Sequence, residues 1–248
     1  MKGFFAAMQF LTILPVPSSL SGGEKTLARS IFYFPLVGLM IGLIAAAFDY
    51  AVCRALPILP ASVLTIVILI ALTGGLHMDG LADTADGFFS ARPREKMMDI
   101  MRDSRIGVMG VLAVVSVMLL KITLLTIIFS PLRWIVILLM PLAGRSAIVT
   151  LMTALPYARL EGGLATLFTG NHSWLHVLWT WALFIAVAGL LAKEIGLAGA
   201  LLALVITAFC GRFNYGKIGG YTGDTLGAAC ELAEIAPLLA AVIYYHQG

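Results

Sequence analysis

Charge is what this sequence has least of. Only 12% of its 248 residues are Asp, Glu, Lys or Arg, against about a quarter in an ordinary soluble domain. With 60% hydrophobic residues and a mean hydropathy of +1.00, that shortage excludes a water-soluble globular fold. The formal net charge of +3 is too small for a nucleic-acid footprint. No basic stripe is interleaved with aromatics either, so nucleic acid is excluded as a partner. Cysteine is scarce too: Cys53, Cys210 and Cys230 stand in apolar surroundings without C-x-x-C spacing, which excludes a disulfide framework and a cysteine zinc site. His172 and His176 are an i, i+4 pair with no acidic neighbour, a poor transition-metal site, and His246 is terminal and inert. No fixed-period repeat, low-complexity tract or soluble second domain is visible, so residues 1–248 read as one membrane-embedded domain.

Long apolar runs are what is abundant. A crossing needs about 20 mostly apolar residues. The chain is expected to make seven, at about 31–53, 61–78, 107–129, 133–155, 174–192, 195–212 and 227–245. The fold class is therefore all-α, a polytopic membrane helical bundle. Met1–Pro17 carries one Lys and a short apolar run ending in Pro15-Val16-Pro17. It resembles a signal-peptide core but lacks a small-x-small cleavage site, so it reads as an interfacial or re-entrant helix, followed by a polar link over Ser18–Ser30. With the N-terminus cytoplasmic, eleven basic residues fall on the cytoplasmic side and only Arg54, Arg133 and Lys193 on the other. That is the positive-inside bias, and it sets those segments on the cytoplasmic face. Trp174, Trp179, Trp181, Tyr244 and Tyr245 flank spans as an interfacial belt.

The exception to the apolar pattern is Gly74–Gly110, GGLHMDGLADTADGFFSARPREKMMDIMRDSRIGVMG, which holds six of the chain's thirteen acidic residues and five of its sixteen basic ones. Asp79, Asp83 and Asp86 stand at i, i+4 and i+7, one face of a helix. Asp99 and Asp103 form a second pair beyond the turn Ala91-Arg92-Pro93-Arg94, with Arg102 and Arg105 beside them. A charged run between apolar segments is ordinarily a solvated loop. Here Gly, Ala and Thr interleave the aspartates and the first stripe has no Lys, so an oxygen cage for a hard divalent cation is expected.

Two further polar segments share the cytoplasmic side. GKIGGYTGDTLG (216–227) sets five glycines around Thr222, Gly223, Asp224 and Thr225. It is a candidate anion nest, with Thr225 expected to cap the next helix. Tyr157–Gly163 carries Arg159, a candidate phosphate contact. Inside the spans, Arg145 needs a carboxylate or phosphate. It either binds substrate or pairs with a carboxylate such as Glu231, itself a candidate substrate contact seven residues from Asp224. Lys121 is equally open, and Glu234 reads as an interfacial charge.

The runs Gly74–Gly87, Met101–Gly107 and Thr222–Ala228, together with Gln9–Pro17, the Arg145 segment and Tyr157–Gly163, resemble the cobalamin synthase (adenosylcobinamide-GDP ribazoletransferase) family over essentially the whole chain. The resemblance implies an enzyme of late cobalamin biosynthesis, Mg²⁺-dependent and membrane-integral. Such an enzyme joins adenosylcobinamide-GDP to α-ribazole or its 5′-phosphate and releases GMP. A more distant likeness links Asp83-Thr84-Ala85-Asp86-Gly87 through Ala91-Arg92, with Asp99 and Asp103, to the CDP-alcohol phosphotransferase signature. This chain has one extra residue before Ala91, and Glu95 where that signature has a glycine. The likeness implies Asp83, Asp86, Asp99 and Asp103 as metal ligands and Asp103 as base, with Asp79 the alternative base. Arg92, Arg102 and Arg105 would then steady phosphates. A secondary transporter would instead place its charges at the midplane and show inverted repeats. Most of the acids here lie at span ends. Monomer and homo-oligomer are both compatible with the sequence.

Overall fold

In hydrocarbon every backbone amide must find its partner within its own segment, so apolar runs of this length become helices. The computed structural model describes residues 1–159, 164–170 and 172–247. Among them there is no strand, only an isolated bridge between Tyr157 and Tyr221. The chain opens with three short helices, α1 (Lys2–Leu11), α2 (Ser18–Ser21) and α3 (Glu24–Ala28). The remaining α-helices follow: α4 (Phe34–Val52), α5 (Ile58–Leu72), α6 (Leu76–Phe88), α7 (Arg94–Ile100), α8 (Val108–Ile127), α9 (Leu132–Ala154), α10 (Trp174–Ile218), α11 (Gly223–Ala233) and α12 (Ile235–Gln247). At ten residues α1 is too short to cross; it buries Ala6, Ala7 and Leu11 against the bundle.

The number of spans differs from the seven expected. Among the described residues, five helical segments are long and apolar enough to cross a membrane, or six if α5 and α6, bent by 90° at their junction, count as one. The difference lies in α10, a single element of 45 residues where two spans are expected. A straight helix of that length would reach about 68 Å, about twice the hydrocarbon thickness. The backbone breaks at Lys193 (φ 47°, ψ −129°), between the two expected spans. Gly196 then packs so tightly on the Ala188 carbonyl that no side chain fits. Residues eight apart meet only if the helix doubles back.

Buried ion pairs tie the bundle. At one end, Arg133 of α9 grips Asp49 of α4 through Nε (2.9 Å) and Nη2 (2.6 Å). It also donates to the Leu125 carbonyl of α8 and to Ser62 of α5. The sequence reading places Arg133 in the loop opposite the cytoplasm; in the structure it is 1% exposed.

The other end is organised by α6. Gly74 and Gly75, both at positive φ (62° and 74°), make the bend that aims it across α8 and α11. Small residues then let helices touch through their backbones: a Cβ on Gly80 would stand 2.7 Å from the Asp224 carbonyl, and one on Gly227 3.0 Å from that of His77. Gly80→Val must therefore push α6 and α11 apart, a strain of about 1–3 kcal/mol. Its thermal midpoint in detergent is expected to fall clearly, while Gly23→Ala, where an added Cβ meets nothing within 4 Å, leaves it unchanged. Equal midpoints for the two variants would refute this packing.

Candidate active site

Three segments far apart in sequence converge at the α6–α11 end. The link after α9 pairs with the link before α11: Ala158 N donates to Tyr221 O (2.9 Å) and Tyr221 N to Pro156 O (3.0 Å). The two tyrosine rings meet edge to face at 5.4 Å. This short strap sets Arg159 beside Asp224, to which its guanidinium Nη2 donates. The Asp224 backbone in turn lies on Gly80, one residue past Asp79. Asp79, Asp224, Arg159 and Tyr157 thus share the lining of one cavity of about 270 Å³, whose remaining wall is largely apolar. Asp79 also borders a second, more open cavity of about 640 Å³, so it stands between two spaces.

Asp83 lies one turn further along α6, half-buried, within electrostatic reach of Asp79, Asp224 and Asp86, with Arg159 the opposing charge. The third aspartate of the stripe does something else. Asp86 accepts from Gly107 N (2.6 Å) and Gly110 N (2.8 Å), capping the start of α8, where a carboxylate complements the helix dipole.

The second stripe does not join the first. Asp99 is 62% exposed and paired with Lys96. Asp103 accepts from the backbone N and the guanidinium of Arg105, and those bonds hold its carboxyl at about 2. Arg92 and Arg105 are exposed. Arg102 is exposed as well, but near enough to Tyr157 to oppose the rise in the phenol's pKa that burial causes. Met97 of α7 and Met101 just past its end pack against Phe88, Ala158 and Ile218, which holds this arginine-bearing segment over the strap.

Among the described residues, no three His, Cys, Asp or Glu side chains stand close enough to hold a metal ion. Mg²⁺, however, commonly takes only one or two carboxylates and completes its shell with water and substrate phosphates. Asp83 and Asp224, within electrostatic reach of each other and beside the cavity-lining Asp79, fit such a partial site. A closed protein cage does not form.

The loop before α11 corrects one detail. Thr222, not Thr225, is the N-cap of α11. Its hydroxyl accepts from Thr225 N (3.3 Å), while Thr225 Oγ1 accepts from Thr222 N (2.9 Å). Both threonine side chains are buried in this capping box, whereas Gly223 lines the cavity.

Comparison with known proteins fixes the relationship. The family model described as cobalamin-5-phosphate synthase matches residues 3–242. The chain belongs to that family. Proteins named adenosylcobinamide-GDP ribazoletransferase are similar along their length. The one from Klebsiella pneumoniae (strain 342) is 44% identical over 96% of this chain and 98% of its own. That from Desulforamulus reducens is 44% identical over 92% and 91%, and that from Geotalea daltonii 38% over 96% of each. No solved structure matches.

Arg145 and Glu231 lie away from the carboxylate mouth, inside the bundle. Lys121 Nζ donates to Glu231 (2.6 Å) and Glu234 (2.7 Å), and Arg145 Nη1 to Glu234 (2.7 Å). The partner of Arg145 is therefore Glu234, one helical turn beyond the expected Glu231. Glu234, expected at the interface, is 5% exposed. Two cations balance two carboxylates here, joining α8, α9 and α11. His77 lines both this cluster and the 270 Å³ cavity. Sequence reasoning passed over it because it sits inside an aspartate-rich run with no partner at helical spacing. Residues 160–163 of the Tyr157–Gly163 segment lie outside the described residues.

Proposed function

We propose that the protein transfers the phosphocobinamide group of adenosylcobinamide-GDP to a ribose hydroxyl of α-ribazole or its 5′-phosphate, releasing GMP. The observation that carries this reading is the convergence of Asp79, Asp224 and Arg159 at one cavity mouth, with Asp83 within electrostatic reach of all three, in a chain whose full-length relatives are named for that reaction. In the transfer, the acceptor oxygen bonds to the phosphorus that bears cobinamide, the diphosphate P–O bond breaks, and GMP leaves with the electron pair. When bound, Mg²⁺ would neutralise charge on the diphosphate; Asp83 and Asp224 are the residues that would hold it, with substrate phosphates adding oxygens.

The acceptor hydroxyl must lose a proton. Asp79 is exposed at the junction of the two cavities and is the base in this reading. Asp103 is the weaker choice. Its bonds to Arg105 hold its pKa at about 2, so it stays ionised above about pH 4 and is a feeble proton acceptor. Asp103→Asn is accordingly expected to keep GMP release within about threefold of wild type, without moving the pH profile, whereas loss of about a hundredfold or more would return the base role to Asp103. Arg159, Arg102 and Arg92 supply positive charge on the approach for the phosphates. The active end faces the cytoplasm, by the excess of basic residues there.

The test is GMP release by the purified protein from adenosylcobinamide-GDP and α-ribazole 5′-phosphate with Mg²⁺. Turnover that requires both substrates and the metal is the expected result. Consumption of a CDP-linked lipid in place of the cobinamide substrate would overturn the reading.

A further inference from the structure

We infer that the 270 Å³ cavity seats the heteroaromatic base of the ribazole substrate, with the His77 imidazole as the polar contact in its wall. This deepens the transfer reaction proposed above and rests on it. The cavity runs beneath Asp79, Asp224 and Arg159 and is walled by Phe10, Phe34, Phe168, Ile148 and Met152. Its rings pack on one another: Phe168 meets Phe10 at 5.0 Å and Phe34 at 5.5 Å between centroids, both edge to face. Among the described residues, and apart from the four polar side chains already placed at the mouth, His77 is the one polar side chain in the lining, and it is 3% exposed.

Three pieces of substrate compete for this space, and chemistry separates them. The corrin macrocycle is several times larger than the cavity. Guanine carries donors and acceptors on several edges, and walls of Phe, Ile and Met would strand them. 5,6-Dimethylbenzimidazole, the base of α-ribazole, is a flat bicycle with two methyl groups and no N–H once it is joined to ribose. It keeps one free ring nitrogen, an acceptor, and a neutral imidazole has one N–H to donate. A pocket that is apolar except for one buried donor matches that pattern. Seated there, the base leaves its ribose under Asp79 and Asp224 and its 5′-phosphate toward Arg159. His77 acts through position and is not a proton carrier in the transfer.

The first test needs only the wild-type, full-length protein. Free 5,6-dimethylbenzimidazole is expected to inhibit GMP release competitively against α-ribazole and not against adenosylcobinamide-GDP. Met152→Trp, which fills the cavity, is expected to raise the ribazole KM by about tenfold or more, with the KM for adenosylcobinamide-GDP within about twofold. His77→Phe keeps the ring and removes the donor. It is expected to raise the ribazole KM by about tenfold and to keep kcat at saturation, a split that general damage to the fold would not give. Competition with the cobinamide substrate, or no inhibition, would overturn the assignment; so would an unchanged ribazole KM in an active Met152→Trp protein. If Met152→Trp fails to fold, the wild-type inhibition pattern decides. A wild type that releases no GMP from this substrate pair contradicts the proposed function instead. Equilibrium dialysis of the free base against wild-type protein and His77→Phe then still reads the cavity, with weaker binding by the variant expected and equal binding refuting the inference.

Discussion

Asp83→Asn is expected to lower GMP release by about a hundredfold or more while its thermal midpoint stays at or above that of wild type. The two halves of that result separate function from structure. Asp83 sits half-buried in reach of three other carboxylates, Asp79, Asp224 and Asp86, with Arg159 opposing them. Such a group is a liability to the fold unless a cation arrives, since like charges at helical spacing destabilise. Asparagine has nearly the same shape and no charge, so it relieves that repulsion. A purely structural aspartate would show unchanged turnover on this substitution, or lost stability. A ligand held for the diphosphate and its metal shows lost turnover and undiminished stability. Unaltered GMP release by Asp83→Asn would remove the residue from the site.

The second large effect lies at the opposite end. Asp49→Asn or Arg133→Met is expected to destabilise the protein by about 3–5 kcal/mol, the usual result of leaving one member of a buried pair without its partner. Arg133 is 1% exposed and Asp49 fully buried, and Thr65 adds a 2.7 Å hydrogen bond to the carboxylate. The guanidinium reaches α4, α5 and α8 at once, so its loss unties three helices. The fraction that remains folded is expected to keep the wild-type KM for both substrates, because the pair is remote from the cavity. The double change Asp49→Leu with Arg133→Met removes both charges and is expected to recover much of the loss. Denaturation in detergent checks all three. Single variants as stable as wild type would contradict the account.

The sequence shows some of this and hides the rest for identifiable reasons. Helical spans are legible because apolar runs in a bilayer have few alternatives. The reversal within α10 is foreshadowed only by the Lys193-Glu194 interruption. The stripe Asp79, Asp83, Asp86 is visible as spacing, but spacing says only which residues share a face. Whether Asp86 meets a cation or the amides of Gly107 and Gly110 depends on where α8 begins in space. Asp99 and Asp103 match a distant signature, yet cations three and two residues away claim them. Asp49 and Arg133 are 84 residues apart, and no local pattern links them. Arg145 was legible as a charge in need of a partner; choosing between Glu231 and Glu234, one turn apart on α11 and its end, required knowing that Lys121 would also be there. Gly80 interrupts the aspartate run visibly in the sequence, but that it packs on the Asp224 backbone shows only in three dimensions.

The central claim is that Asp83 of the first stripe, with Asp224, grips the divalent cation on the substrate diphosphate, and that the second stripe does not. Electron paramagnetic resonance of Mn²⁺ in the presence of adenosylcobinamide-GDP reads this directly. The account predicts bound Mn²⁺ in wild type and in Asp99→Asn, and about tenfold or greater weakening in Asp83→Asn. Binding kept by Asp83→Asn and lost by Asp99→Asn would contradict it.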